Sequence, residues 1–116
     1  MINSRPAIVP LPKESEMMVL GCMLSNTEYL DSGLESLLQD DFNFPEHRIL
    51  FKVLENLHES GIPVDTHLVC NKLKDVEGLK SVGGAAYVLT LAMYPGPSAH
   101  FEYYLDQLID RKTKQN

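Results

Sequence analysis

An all-α fold follows from three features of the 116-residue sequence. Apolar residues recur at steps of three and four in stretch after stretch, which is the period of a helix with one buried face. Most of those stretches open on a residue able to cap a helix, and several end at glycine or proline. No alternating apolar and polar run of useful length competes for a strand. The expectation is a compact bundle of about six helices.

Residues 1–12 carry Pro6, Pro10 and Pro12 and are expected to form an extended N-terminal arm. A first helix then runs from Lys13 to Leu24, with Glu14 and Glu16 complementing its N-terminal dipole and Met17, Leu20, Gly21 and Leu24 on one face. Gly21 is either a point of close helix approach or a tolerated weak spot of about 1 kcal/mol relative to alanine. Ser25-Asn26-Thr27-Glu28 reads as a capping box for a second helix, whose stripe is Leu30, Leu34, Leu37 and Leu38 and which ends near Gln39.

The third helix is the clearest. Ile49, Leu50, Val53, Leu54 and Leu57 fill an arc of roughly 140°, wide enough to need several neighbours, with Phe51 just outside it beside His47 and His58. Asn43 with Glu46 suits a capping box, or Phe44 is the cap because Pro45 holds it out of helical dihedrals. Gly61 and Pro63 end this helix. Asp65 caps a fourth, buried through Val69, Leu73 and Val76 and ended by Gly78. Ser81-Val82-Gly83-Gly84 makes a tight turn into Ala85–Met93, apolar on nearly every side and therefore expected to be a core helix. After the break at Tyr94-Pro95-Gly96-Pro97, Ser98 caps a last helix with Phe101, Tyr104, Leu105, Leu108 and Ile109 on its buried face and Arg111, Lys112 and Lys114 at its end. The domain division is thus arm 1–12, globular helical domain 13–97 and final helix 98–116.

Composition narrows the function. The chain is 44% hydrophobic, enough for a core, and no apolar run approaches the ~20 residues of a membrane span. No signal for export is visible, so a cytoplasmic location is expected. A formal charge of −6 opposes binding to phosphate backbones. Lys72 and Lys74 are offset by Asp75 and Glu77, leaving no basic recognition helix. Cys22 and Cys70 lack paired metal-ligand spacing and read as reduced core residues. His47, His58, His67 and His100 are scattered and read as surface or half-buried side chains. Catalytic residues, metal ligands and cofactor-binding residues are all expected to be none, because no nucleophile and base, carboxylate pair or phosphate loop is spelled out. These residues alone describe an acidic helical domain that binds a protein.

The order of short motifs goes further. Pro12-Lys13-Glu14-Ser15-Glu16 leads to Val19-Leu20-Gly21-Cys22-Met23-Leu24, followed by Asp41-Phe42 and His47-Arg48-Ile49-Leu50-Phe51. Gly61-Ile62-Pro63-Val64-Asp65, Gly78-Leu79-Lys80-Ser81-Val82-Gly83-Gly84-Ala85-Ala86-Tyr87 and Leu91-Ala92 come after them. In this order and with these gaps the chain resembles the N-terminal domain of the DnaB-type bacterial replicative helicases, over nearly everything after the arm. Asn43-Phe44 and the rigid Tyr94-Pro95-Gly96-Pro97 loop depart from the usual pattern without touching the expected core.

The resemblance implies a homohexameric parent that unwinds DNA with ATP and Mg, whose N-terminal domains form a collar, help recruit primase and are a place for a helicase loader. The family's ATPase domain and its phosphate loop are not within this sequence, so the segment itself is expected neither to hydrolyse ATP nor to contact DNA. It also implies that the last helix begins a helical hairpin that is truncated here, so self-association is expected to be weakened, to a dimer or monomer. Tyr103 projects from the polar side of that helix among Glu102, Asp106, Gln107 and Asp110. Tyr103, Asp106 and Asp110 are therefore the candidate partner-binding residues, with ordinary surface exposure of the tyrosine as the plain alternative. The competing function is an independent helical regulatory or DNA-binding protein; an enzyme is a weaker third.

Overall fold

Seven helices and one 3₁₀ turn make up the described chain: α1 (Pro12–Ser25), α2 (Thr27–Ser36), the 3₁₀ turn Gln39–Asp41, α3 (Pro45–Glu59), α4 (Thr66–Asp75), α5 (Leu79–Val82), α6 (Gly84–Met93) and α7 (Phe101–Lys114). The computed structural model describes residues 12–96 and 100–114, with side chains described within 13–96 and 100–110. The arm up to Leu11, the Ser98 cap and the basic side chains after Asp110 lie outside the described residues. Pro12 belongs to α1 rather than to the arm, in the first turn, where a missing N–H is harmless.

The caps explain most of the differences from expectation. Asn26, not Ser25, caps α2: its Oδ1 accepts from the Glu28 and Tyr29 amides at 2.8 and 3.3 Å. Phe44 holds the cap position of α3 with Pro45 directly after it, so Asn43 does not cap. Schellman hydrogen bonds close α3, from the Ile62 amide to the Leu57 carbonyl and from the Gly61 amide to the His58 carbonyl. Asp65 caps α4 through the Leu68 amide at 2.8 Å.

The end of α4 falls one residue early. Glu77, at φ 58, takes the left-handed position expected of Gly78, while the Gly78 amide reaches back 2.7 Å to the Leu73 carbonyl. Val76 is thereby carried out of the buried stripe and lies half exposed. Leu38 leaves its stripe for a similar reason. The chain quits α2 after Ser36, Asp41 Oδ2 accepts the Leu38 amide at 2.8 Å, and the Leu38 side chain turns to water. The short α5, a seventh helix, occupies part of the stretch read as a turn, and Gly83 at φ 105 makes the corner into α6.

Packing centres on α1, where Val19 through Leu24 are buried without interruption. This helix meets α2, α3, α6 and α7, so its single expected face is in fact a whole circumference. Gly21 is the point of close approach: a Cβ there would collide with the Leu91 carbonyl oxygen and lie 2.7 Å from Pro95 Cδ. One turn on, the Ser25 hydroxyl lies 2.7 Å from the Gly21 carbonyl and 2.8 Å from that of Ala92, pinning the ends of α1 and α6 together. On α3, Leu50, Val53, Leu54 and Leu57 are buried and Ile49 half-buried. Phe51, placed outside that arc by its spacing, is fully buried against Phe42, with ring centroids 5.0 Å apart. Tyr29 stacks on Phe101 at 4.6 Å and ties α2 to α7, whose Phe101, Leu105 and Leu108 are buried and Tyr104 and Ile109 half-buried.

One helix departs most from expectation. Of α6 only Val88 and Leu91 are buried, while Ala85, Ala86, Leu89, Thr90 and Met93 face solvent. With α1 already enclosed, α6 lies on the surface against α1, α4 and α5. Its apolar circumference therefore includes an open side. Cys22 is buried, with its thiol pKa pushed up to about 11 by burial, whereas Cys70 is only half-buried; both are free.

Candidate functional site

Three of the motif stretches meet at one buried network. Glu16, on the first turns of α1, has no solvent exposure. Its Oε2 accepts the Asn43 amide at 2.7 Å, and its Oε1 lies 3.4 Å from the Phe44 amide and 2.7 Å from His47 Nδ1. His47 is equally buried, and its Nε2 lies 2.8 Å from the Tyr87 hydroxyl on α6. An ionised carboxylate only accepts, so His47 Nδ1 carries a proton, and in the neutral ring Nε2 accepts from Tyr87. The His47 and Tyr87 rings are nearly parallel, 6° apart in plane.

This corrects the expectation for His47, which is neither at the surface nor half-buried, and gives Glu16 a buried role beyond its place near the start of α1. Each fills the other's hydrogen-bonding needs, which is what allows two polar groups to be buried at all. Around them, Lys13 pairs with Glu46 at 3.3 Å and lies 5.0 Å from the centroid of the Phe44 ring. Burial works to raise the Glu46 pKa, but a hydrogen bond to its own backbone and the Lys13 ammonium bring it below the usual carboxylate value. Tyr87, half-buried, has its pKa pushed up to about 12 by burial first and then by Glu46 and Glu16.

A chain of carboxylate, imidazole and phenol could move a proton, but Glu16 and His47 admit no substrate, so the network positions rather than reacts. It fixes α1, the loop before α3, α3 itself and α6 at one point. His58, by contrast, is exposed and pairs with Asp31 at 2.9 Å. Among the described residues no three His, Cys, Asp or Glu side chains are placed to hold a metal ion, and no helix is long and apolar enough to cross a membrane.

Two exposed surfaces lie apart from this network. On α7, Tyr103, Asp106 and Asp110 are all exposed, and steps of three and four put them on one face. The Tyr103 ring meets Tyr104 edge-on at 5.3 Å and borders a shallow hollow of about 280 Å³ with Tyr29, His100 and Phe101. The second surface, missed by sequence reasoning, is the outward side of α6, where Met93 is 78% and Leu89 50% exposed. It continues into a hollow of about 350 Å³ against α4, lined by Cys70, Leu79, Ala85 and Leu89 among others. The signal for it was present in a helix without a single charge.

Comparison with known proteins bears on what these surfaces serve. A family model described as the DnaB-like helicase N terminal domain matches residues 9–110. The replicative DNA helicase DnaB of Pasteurella multocida is 34% identical over 85 residues, covering 73% of this chain and 18% of that protein. The replicative DNA helicase DnaC of Bacillus subtilis is 29% identical over 113 residues, covering 97% of this chain and 24% of that protein. Among solved structures, the N-terminal domain of DnaB helicase from Mycobacterium tuberculosis superposes with a TM-score of 0.80 at 29% identity, over 85% of this chain and 69% of that one. The chain thus spans a quarter or less of the length of these two curated relatives.

Proposed function

Because the chain belongs to the family of DnaB-like helicase N-terminal domains, we propose that it is the collar and protein-interaction domain of a hexameric replicative DNA helicase. In this reading it self-associates, helps recruit primase and gives a helicase loader a place to bind during bacterial DNA replication in the cytoplasm. The parent's motor, with ATP and Mg, lies in another domain that contacts the DNA. The role of this segment is to hold partners, and its acidic charge suits that division of work.

The observation that carries the reading is the exposed face of Tyr103, Asp106 and Asp110 on α7, an aromatic side chain set among acids. Aromatic anchors of this kind supply a large share of interface energy. Tyr103→Ala in the full-length parent is expected to leave folding intact and to weaken association with itself or with primase by ~1 kcal/mol or more. Sedimentation and calorimetry measure the two affinities, and unchanged values for both remove Tyr103 from the interface.

A further inference from the structure

The two exposed faces, on α6 and on α7, are complementary in kind. In a chain with 16 acidic and 10 basic residues, the hollow between α4 and α6 is lined by Lys74 and His67 and by no carboxylate. Lys74 forms no ion pair among the described residues. Beside it, Ala85, Leu89 and Met93 follow one another at steps of four along the charge-free α6, and all three are exposed. A contiguous apolar patch of this kind marks a contact surface.

What that groove lacks, α7 carries. Tyr103, Asp106 and Asp110 present an aromatic ring and two carboxylates on one exposed face. At 1.5 Å per residue this stripe is about 10 Å long, against about 12 Å from Ala85 to Met93. The hollow, of about 350 Å³, has room for a tyrosine ring. A helix laid in an apolar groove, with an aromatic anchor in a pocket and a charge at its rim, is a recurrent mode of recognition. Within the fold, α7 packs on α1 and the 3₁₀ turn, and α6 on α1, α4 and α5. Both faces are open in the same chain, so neither covers the other there; two copies can bring them together.

We propose that the Tyr103, Asp106 and Asp110 face of α7 in one copy docks in the α4–α6 groove of a second copy, with the Tyr103 ring in the hollow and the Asp106 carboxylate against Lys74. This rests on the reading of the α7 face as an interface and adds the surface that it meets.

Sedimentation equilibrium of the whole chain, up to about 1 mM, reads the self-association. Lys74→Glu, Asp106→Lys and Leu89→Asp, all at exposed sites, are each expected to weaken it at least about fivefold, with melting curves unchanged. Asp106→Lys lowers the net negative charge, so general repulsion between copies would make that variant associate more tightly, and such tightening would overturn the proposal. Lys74→Glu and Asp106→Lys carried together in one chain should restore the affinity, because every contact then has its charges exchanged. A chain that stays monomeric over the whole range overturns the proposal, as does a double variant no tighter than the single ones. If Tyr103→Ala weakens association while Lys74→Glu and Leu89→Asp do not, α7 meets another surface: the pairing fails and the α7 interface stands. Silence of all four single variants removes the pairing and the self-association assigned to α7 together.

Discussion

Replacing Glu16 by alanine takes the acceptor away from three donors at once, the amides of Asn43 and Phe44 and the Nδ1–H of His47. An unpaired buried donor costs about 1–3 kcal/mol. Asn43 is exposed, so water can serve its amide, and the loss falls mainly on Phe44 and on the fully buried His47 ring. The expected destabilisation is about 2–6 kcal/mol, one such cost for each of these two donors. Against a total of ~5–15 kcal/mol for a typical domain, that leaves a partly unfolded population at moderate denaturant. Glu16→Gln keeps the shape and one oxygen but turns an amide toward one of the donors, so about 1–3 kcal/mol is expected. Urea titration followed by circular dichroism gives both values, provided the slope with denaturant is unchanged. Amide exchange at Phe44 should accelerate in parallel. If Glu16→Ala stays within ~1 kcal/mol of the parent, the network does not hold α1 to α3 and α6.

Five further substitutions probe the fold and the Tyr87 end of the network. Leu54→Ala, in the buried stripe of α3, should cost about 2–5 kcal/mol, while Lys52→Ala on the opposite side should leave the unfolding midpoint unmoved, since its pairing with Glu55 is exposed. Gly21→Ala drives a methyl into the Leu91 carbonyl and Pro95, and a loss of about 1–3 kcal/mol in thermal or urea unfolding is expected. Glu77→Gly relieves a left-handed backbone and should stabilise by about 0.5–1 kcal/mol, read as a higher melting temperature. Because the Tyr87 pKa is raised on folding, to about 12, the folded state holds that proton more tightly. Its contribution is full below the ordinary tyrosine value near 10 and is lost as pH climbs from about 10 to 12. Tyr87→Phe should flatten that part of the alkaline unfolding curve.

What the sequence disclosed and what it withheld divide along physical lines. The stripe of α3 and its stop at Gly61 were legible because spacing and capping are local. Neighbours 31 residues apart in sequence are not local, and nothing near Glu16 announces His47 as its partner; only the motif stretches hinted that both places mattered. Periodicity failed in two opposite ways. Around α1 it marked one face where all sides are covered, and around α6 it suggested burial of most of the circumference where only Val88 and Leu91 are buried, because apolar residues do not say how many neighbours the fold supplies. Leu38 and Val76 were misplaced by helices that end one to three residues early, and a glutamate at the left-handed position after α4 has no sequence signal comparable to glycine. The Tyr103, Asp106 and Asp110 face was legible because a polar arc on an amphipathic helix faces water whatever its neighbours are.

The enclosure of α1 has a consequence for the order in which the protein is made. This helix precedes every partner that covers it, and α6 and α7, which close two of its sides, follow some 60 to 90 residues later. At a synthesis rate of about 5–20 residues per second, Val19, Leu20 and Met23 wait on the order of 3–18 s for their last neighbours to be added. Through that interval the nascent segment offers an unbroken apolar surface, at first guarded only by α2 and α3. A ribosome-associated chaperone should therefore engage it early and let go only once α7 has emerged.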